Sequence, residues 1–411
     1  MCRRLEASGW LAFDTEFVGE DQYRPEVCLI QVAIDGLCVL VDPLNGLDVK
    51  PFWELIADEK ILVLVHAGSE DICQCWQQIG KPPRNVFDLQ IAAGMVGFGY
   101  PKSLSRLARE TTGRRVHKSQ TLTDWRKRPL SAEQIRYAID DVTCLRPMYE
   151  HIHRRLVALG REGWAREECE ALCDTVCHRQ DEEQWLARLK GVRSCSGKEL
   201  AIAKALVQVR ADLAQRYNRP VRGVLKDHLL VEIARHGWTN AKRIQSLRGV
   251  NLGATAVQRL AEAVQKAGQQ PPESWPVLAS IEDSPREEVL LSLLSAVLRE
   301  HCRRSNLAYS LVGKKQQLRD LVRMYTRPDE PAGDHAFSSG WRKAAVGSCW
   351  RTSFGGSERY ASSVRARNWG CRSNEAGAFG LAAPYTVLRG RGGRKLLRQV
   401  VFCFGRSPIS P

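Results

Sequence analysis

Asp14 and Glu16 stand two apart inside the run "WLAFDTEF", where the neighbours are largely apolar and a pair of charges needs compensation. Residues two apart on a strand project to one face, so the two carboxylates lie side by side with Thr15 on the reverse. Adjacent carboxylates repel, and both stay ionised where a cation sits between them. Further acids follow in places that secondary structure can bring near. "ILVLVHAGSEDI" runs a buried strand into a helix start and puts Asp71 in the first turn, where the helix dipole also favours an acid. "YAIDD" sets Tyr137 and Asp141 four apart on one helix face. Singly, each has an ordinary explanation: a solvated edge, a helix N-terminus, a core tyrosine. Jointly they offer four strand- or helix-anchored carboxylates and a phenol, a set suited to cation binding.

The elements that must position these groups alternate. "WLAFDTEF", "VCLIQVAI" and "LCVLVDP" read as a meander of strands, and "ILVLVHA" as a fourth after the helical "VKPFWELIAD". "SEDICQCWQQIG" reads as a helix with Ser69 as N-cap and Gly80 just past its end. "SAEQIRYAIDDVTCLRPMYEHIHRRLVALG" is helical, and Ser131 with Gln134 fits a capping box. From about residue 180 onward helices dominate, as in "GKELAIAKALVQVRADLAQRYN", "KDHLLVEIARHG" and "GATAVQRLAEAVQKAG"; a second helical cluster follows the Pro-rich "QQPPESWP". The fold class expected is a mixed α/β unit followed by all-α units.

Charge divides the chain in the same way. Residues 1–150 hold 18 Lys and Arg against 21 Asp and Glu, 151–330 hold 30 against 22, and 331–411 hold 13 against 3, within a net charge of +15. The first third brings acids, and the later segments bring attraction for a polyanion. The 14 cysteines show no disulfide framework, no apolar run reaches the length of a membrane span, and "MCRRLEASGW" lacks a signal-peptide core, so a soluble protein of the reducing cytoplasm is expected. No G-x-x-x-x-G-K-[ST] loop is present, which disfavours a helicase and a nucleotide cofactor.

"DTEF", "HAGSEDI" and "YAIDDV", in this order, resemble the three exonuclease motifs of the DEDD superfamily in its Tyr-containing branch. "YRPEVCLIQVA", "VFDLQIAA" and "KSQTLTDWRKRPLSAEQIRYAIDDV" extend the likeness to the ribonuclease D family almost continuously from residue 7 to about 155. The resemblance implies a ribonuclease H-like fold, with two divalent cations held by Asp14, Glu16, Asp71 and Asp141 and an attacking water oriented by Tyr137. Oxygen ligands select Mg²⁺ or Mn²⁺ over Zn²⁺, and two such cations about 4 Å apart suit phosphodiester hydrolysis. Asp140 is expected to be a bystander and His66 structural. Lys118, Gln120, Trp125 and Arg128 are candidate contacts to RNA.

The helical half resembles a tandem of HRDC domains, recognisable in "ALVQVRADLAQRYNRPVRGVLKDHLLVEIARHG", with Arg222 and Lys226 as candidate nucleic-acid contacts. The expected layout is an exonuclease domain over 1–165, a helical linker over 166–195, an HRDC domain over 196–270, a second HRDC-like domain over 276–330 and an irregular basic tail over 331–411, disordered or out of frame. Cys169, Cys173 and Cys177 recur every four residues ahead of His178, a helix face more than a zinc site. The expected activity is 3′–5′ exoribonucleolysis releasing nucleoside 5′-monophosphates, with tRNA precursors and other structured RNA as substrates and the protein a monomer. The alternatives are a single-stranded DNA exonuclease and an inactive HRDC scaffold that binds nucleic acid.

Overall fold

In a computed structural model of the chain, the structure describes residues 1–19, 21–116, 123–177, 185–186, 188–276, 283–327, 336–353 and 399–403. The first body is built on a six-stranded sheet in the order β5-β4-β1-β2-β3-β6. β1 (Trp10–Val18), β2 (Glu26–Ile34) and β3 (Leu37–Val41) form the antiparallel meander that the alternating turn residues predict. β4 (Leu62–Val65) and β5 (Val86–Asp88) add in parallel on one side, and β6 (Gln399–Cys403) pairs in parallel with β3 on the other.

Helices cover both faces. α1 (Cys2–Ser8), α2 (Lys50–Ile56) and α3 (Ser69–Ile79) enclose a core in which Phe13, Phe52 and Trp53 meet edge to face, with centroids 5.1–6.2 Å apart. α6 (Ala132–Thr143) packs across β1, β2 and β3 on the opposite face, where Leu29, Leu40 and Ala138 lie buried. Beside it, α4 (Leu89–Gly94), α5 (Leu104–Thr112), α7 (Leu145–Ala158) and α8 (Glu162–Cys177) contribute to a second, larger core.

The HRDC-like segment has a core of its own, made by α9 (Gly197–Tyr217), α10 (Asp227–His236) and α11 (Ala254–Gly268). Ser196 and Glu199 form a capping box at the start of α9, and Asn218 closes its end in the left-handed conformation. One link to the first body is visible at Tyr23, which packs on this core and donates its backbone N–H to Asn218 Oδ1 at 3.3 Å.

The expected separate domain over 276–330 needs correction. α12 (Pro285–Arg304) and α13 (Lys315–Thr326) do not enclose a private core: Leu294, Leu298 and Val312 share one buried cluster with Met95, Val96 and Cys169 of the first body. Arg161 ties the two by donating to the carbonyls of Met95 (2.6 Å) and Ser305 (2.7 Å). The tail expected to be irregular over 331–411 also contains folded structure among its described residues. α14 (Gly340–Ser353) buries Trp341 and Val346 in the same cluster, and Trp341 donates its indole N–H to Glu168 at 2.8 Å.

Candidate active site

The site forms where β1 outruns its neighbour. The parallel ladder with β4 spans Trp10–Leu62 to Ala12–Leu64 and stops, which frees the following N–H groups on that side of β1. Asp71, in the first turn of α3, takes over: its Oδ1 accepts the Thr15 N–H at 2.9 Å and the Thr15 hydroxyl as well. A carboxylate thus grips the backbone between Asp14 and Glu16. On the other side β2 places Gln31 opposite Asp14 and Leu29 opposite Glu16, and the register shifts immediately after Glu16. A bulge at that point ends the regular pairing and re-aims the chain beside the site.

α6 brings the remaining groups. Its start is fixed by the predicted capping box, in which Ser131 Oγ accepts the Gln134 N–H at 3.1 Å and Gln134 Oε1 accepts the Ser131 N–H at 2.8 Å. That anchoring turns Tyr137 and Asp141 toward the sheet and sets the phenol beside the Asp141 carboxylate. Carboxylate oxygens of Asp14, Glu16 and Asp141 lie within 4.8 Å of one another. Asp14 and Asp141 open on a cleft of about 280 Å³, also walled by Phe13, His66 and Tyr137.

The electrostatics describe an arrangement short of positive charge. Burial, then the negative fields of Asp71, Asp141 and Glu16, push Asp14 well above the usual carboxylate range. Burial followed by Asp141 and Asp71 pushes Glu16 up to about 8. Burial raises Asp141 to about 7 against the lowering effect of the Tyr137 hydrogen bond, and raises Asp71 to about 6 against that of Thr15. Tyr137 is pushed up as well, by burial and then by the same acids, so its phenol stays protonated. Asp141 Oδ2 is buried without a hydrogen-bond partner. Clustered carboxylates, an unpartnered buried oxygen and an all-oxygen donor set fit a hard divalent cation.

Comparison with known proteins supplies the lineage. A family model described as 3′-5′ exonuclease matches residues 1–157, and one described as HRDC domain matches 199–264. A curated ribonuclease D from Nitrobacter hamburgensis is 31% identical over 351 residues, covering 84% of this chain and 90% of the relative. The ribonuclease D of Jannaschia sp. is 33% identical over 359 residues, with the same coverage. The chain belongs to the ribonuclease D family. Its fold is also that of the solved ribonuclease D of Escherichia coli, with a TM-score of 0.75 at 24% identity over 85% of this chain and 94% of that one. A Bifidobacterium adolescentis protein follows at a TM-score of 0.60, 23% identity and 86% and 94% coverage. As a ribonuclease D, the protein is a hydrolase, a 3′–5′ exoribonuclease.

The other residues expected in the site distribute unevenly in this ribonuclease D. Two expected RNA contacts need correction because the protein itself occupies them. Arg128 forms a fork on Asp42 (2.6 and 2.8 Å) and donates to the carbonyls of Cys28 (2.7 Å), Trp125 (2.8 Å) and Lys127 (3.0 Å). Trp125 is buried behind Tyr137, ring centroids 6.1 Å apart. Lys118 and Gln120 lie outside the described residues. Arg222 is exposed but shares Asp227 with Arg210, whereas Lys226 is exposed just ahead of α10. Asp140 is held by Arg114 at 2.6 Å. His66 joins the cleft wall with Nε2 3.0 Å from the Lys102 carbonyl, and burial lowers its pKa, keeping the ring neutral. Cys169 and Cys173 are buried, and among the described residues no cysteine joins a metal-binding cluster. His178 lies outside the described residues.

Two details escaped the sequence. The helix after "HAG" starts at Ser69 with Gly68 as its cap, one residue earlier than expected. A Cβ on Gly68 would lie 2.6 Å from Val65 Cγ2, so the corner admits glycine alone without rearrangement. The second is Asp88, a buried acid at the end of β5 in the stretch "VFDLQIAA". Its place directly before a short apolar helix was an available N-cap signal.

Proposed function

We propose that Asp14, Glu16, Asp71 and Asp141 hold two divalent cations, Mg²⁺ or Mn²⁺, and that the enzyme removes nucleoside 5′-monophosphates singly from the 3′ ends of tRNA precursors and other structured RNA. The observation that carries the reading is the meeting of Asp14, Glu16 and Asp141 oxygens within 4.8 Å, drawn from a strand and a helix far apart in the chain. Asp71 stands outside that 4.8 Å group and is joined to it through Thr15, whose N–H and hydroxyl its Oδ1 accepts. Bound there, divalent cations would supply Lewis acidity to the scissile phosphate and lower the pKa of the attacking water.

The chain's own groups would divide the rest. The Tyr137 phenol, held protonated beside Asp141, would orient the attacking water through a hydrogen bond to its oxygen. Asp71 keeps Asp14 and Glu16 at fixed spacing through Thr15. Lys118, Gln120 and the exposed Lys226 are assigned to RNA, Lys226 through a phosphate. The Escherichia coli ribonuclease D of the same fold is an exoribonuclease involved in structured RNA processing, which supports the substrate class. A single polypeptide acting in the cytoplasm completes the reading; among the described residues no helix is long and apolar enough to cross a membrane.

The test is incubation of purified protein with labelled tRNA precursor and with matched single-stranded DNA, in Mg²⁺, in Mn²⁺ and in chelator. Stepwise shortening of RNA that stops in chelator is expected, with 5′-monophosphates as products. Equal rates in chelator would refute the metal assignment, and preference for DNA would refute the substrate.

A further inference from the structure

Asp88 is 2% exposed and lines no part of the cleft, yet its carboxylate accepts four backbone N–H groups. Gln90 (2.8 Å) and Ile91 (3.4 Å) donate from the first turn of α4, the ordinary work of an N-cap. The other two donors do not belong to α4. Ala67 donates to Oδ1 at 3.1 Å and Gly68 to Oδ2 at 3.0 Å, from the corner that joins β4 to α3. Ala67 takes the left-handed conformation there, with φ +57°, a backbone form that turns successive N–H groups toward one anion. Gly68 leaves no room for a side chain, so the corner is held from both sides.

Three residues beyond Gly68 stands Asp71, whose Oδ1 grips Thr15 between Asp14 and Glu16. The hydrogen bonds of Asp88 to the corner and those of Asp71 to β1 are thus joined by the single turn of backbone between Gly68 and Asp71. From this geometry we infer that Asp88 is a positioning residue, setting the β4–α3 corner so that Asp71 and, through Thr15, the Asp14–Glu16 pair hold the spacing that binds cations. The inference rests on the metal reading above. An acid is needed in place of an amide because all four donors converge on acceptor oxygens, and the amide nitrogen of Asn would face an N–H.

Asn and Ser cap helices about as well as Asp, so two variants separate capping from positioning. Asp88→Ser keeps a hydroxyl for Gln90 and is too short for the corner; Asp88→Asn keeps one acceptor oxygen. The full chain, both variants and Asp14→Asn are titrated with Mn²⁺ without RNA, following free Mn²⁺ by electron paramagnetic resonance. Folded fraction is followed by circular dichroism, and kcat and KM are measured on 3′-labelled RNA. The expected result is Mn²⁺ affinity lower by about 10–100-fold in Asp88→Ser and by less in Asp88→Asn, as for other residues that orient metal ligands. A fall in kcat should accompany it with KM changed less than about twofold. Wild-type affinity and kcat in both variants would overturn the inference, as would losses that match the unfolded fraction; should Asp88→Ser fail to fold, Asp88→Asn decides. If Asp14→Asn binds Mn²⁺ as the wild type does, the metal reading fails and this inference falls with it. Binding lost in Asp14→Asn but intact in both Asp88 variants sinks this inference alone.

Discussion

Glu16→Gln should stabilise the metal-free protein, and should do so at high pH only. Burial and then the fields of Asp141 and Asp71 move the Glu16 carboxyl from 4.5 to about 8. Between those values the folded state binds a proton that the unfolded chain has lost, so this group's contribution to stability falls as pH rises through the window. At about 1.4 kcal/mol for each tenfold change, the full displacement bounds the effect near 5 kcal/mol. Partial solvent exposure of Glu16 reduces that to about 2–4 kcal/mol. Glutamine has the shape and never ionises, so in chelator the two proteins should melt together below about pH 5 and diverge by about 5–10 °C near pH 9. Saturating Mn²⁺ should invert the order, because the cation stabilises the wild type by mass action and finds one ligand fewer in the variant. The assay is thermal unfolding followed by circular dichroism across pH, with and without Mn²⁺. A variant less stable than the wild type in chelator at every pH would refute the idea of a site strained by unbalanced negative charge.

Asp14→Ala and Asp141→Asn should abolish hydrolysis, with gel-shift affinity for RNA kept within a few-fold; equal loss of both would count against cation binding. Tyr137→Phe should lower kcat by about 10²-fold, the scale of an orienting or acid–base contact, without changing the melting temperature by more than a few degrees; an undiminished kcat would remove its role. Arg128→Ala strands buried Asp42 without its ion-pair partner and should destabilise by about 3–5 kcal/mol in urea titration; unchanged stability with weakened RNA binding would restore Arg128 to the interface. In the wild type, Mn²⁺ affinity should rise with pH from about 6 to about 8 as Asp71, Asp141 and Glu16 give up protons, and isothermal titration in buffers of different ionisation enthalpy should register proton release.

What was legible in the sequence was local. The meander β1–β3 follows from alternating apolar runs, and the Ser131–Gln134 box fixed the phase of α6, hence the shared face of Tyr137 and Asp141. What stayed hidden depends on partners remote along the chain. Arg128 and Trp125 sit in a polar-looking loop, and no local pattern says that Asp42, 86 residues away, waits for the guanidinium. β5 spans three residues, too few to show a period, and its Asp88 gained meaning only when the β4–α3 corner arrived beside it. The apolar face of α12 reads the same whether it covers a small helical domain or the exonuclease body; the shared cluster with Met95 and Val96 decided for the latter.

That shared cluster changes what kind of appendage the first HRDC segment is. The polypeptide departs from the nuclease after Cys177 and comes home at Asp283, because α12–α14 are welded to the nuclease and cannot drift. The middle segment is therefore a loop fastened at both ends, like a bucket handle, where a C-terminal fusion would hang as a pendant. Two fastenings leave it a narrow range of positions, so RNA bound there, as proposed for Lys226, would stay at high effective concentration over the carboxylates. Deleting everything after residue 276 would not yield a shorter enzyme, since it would lay bare the greasy flank of α4 and α8.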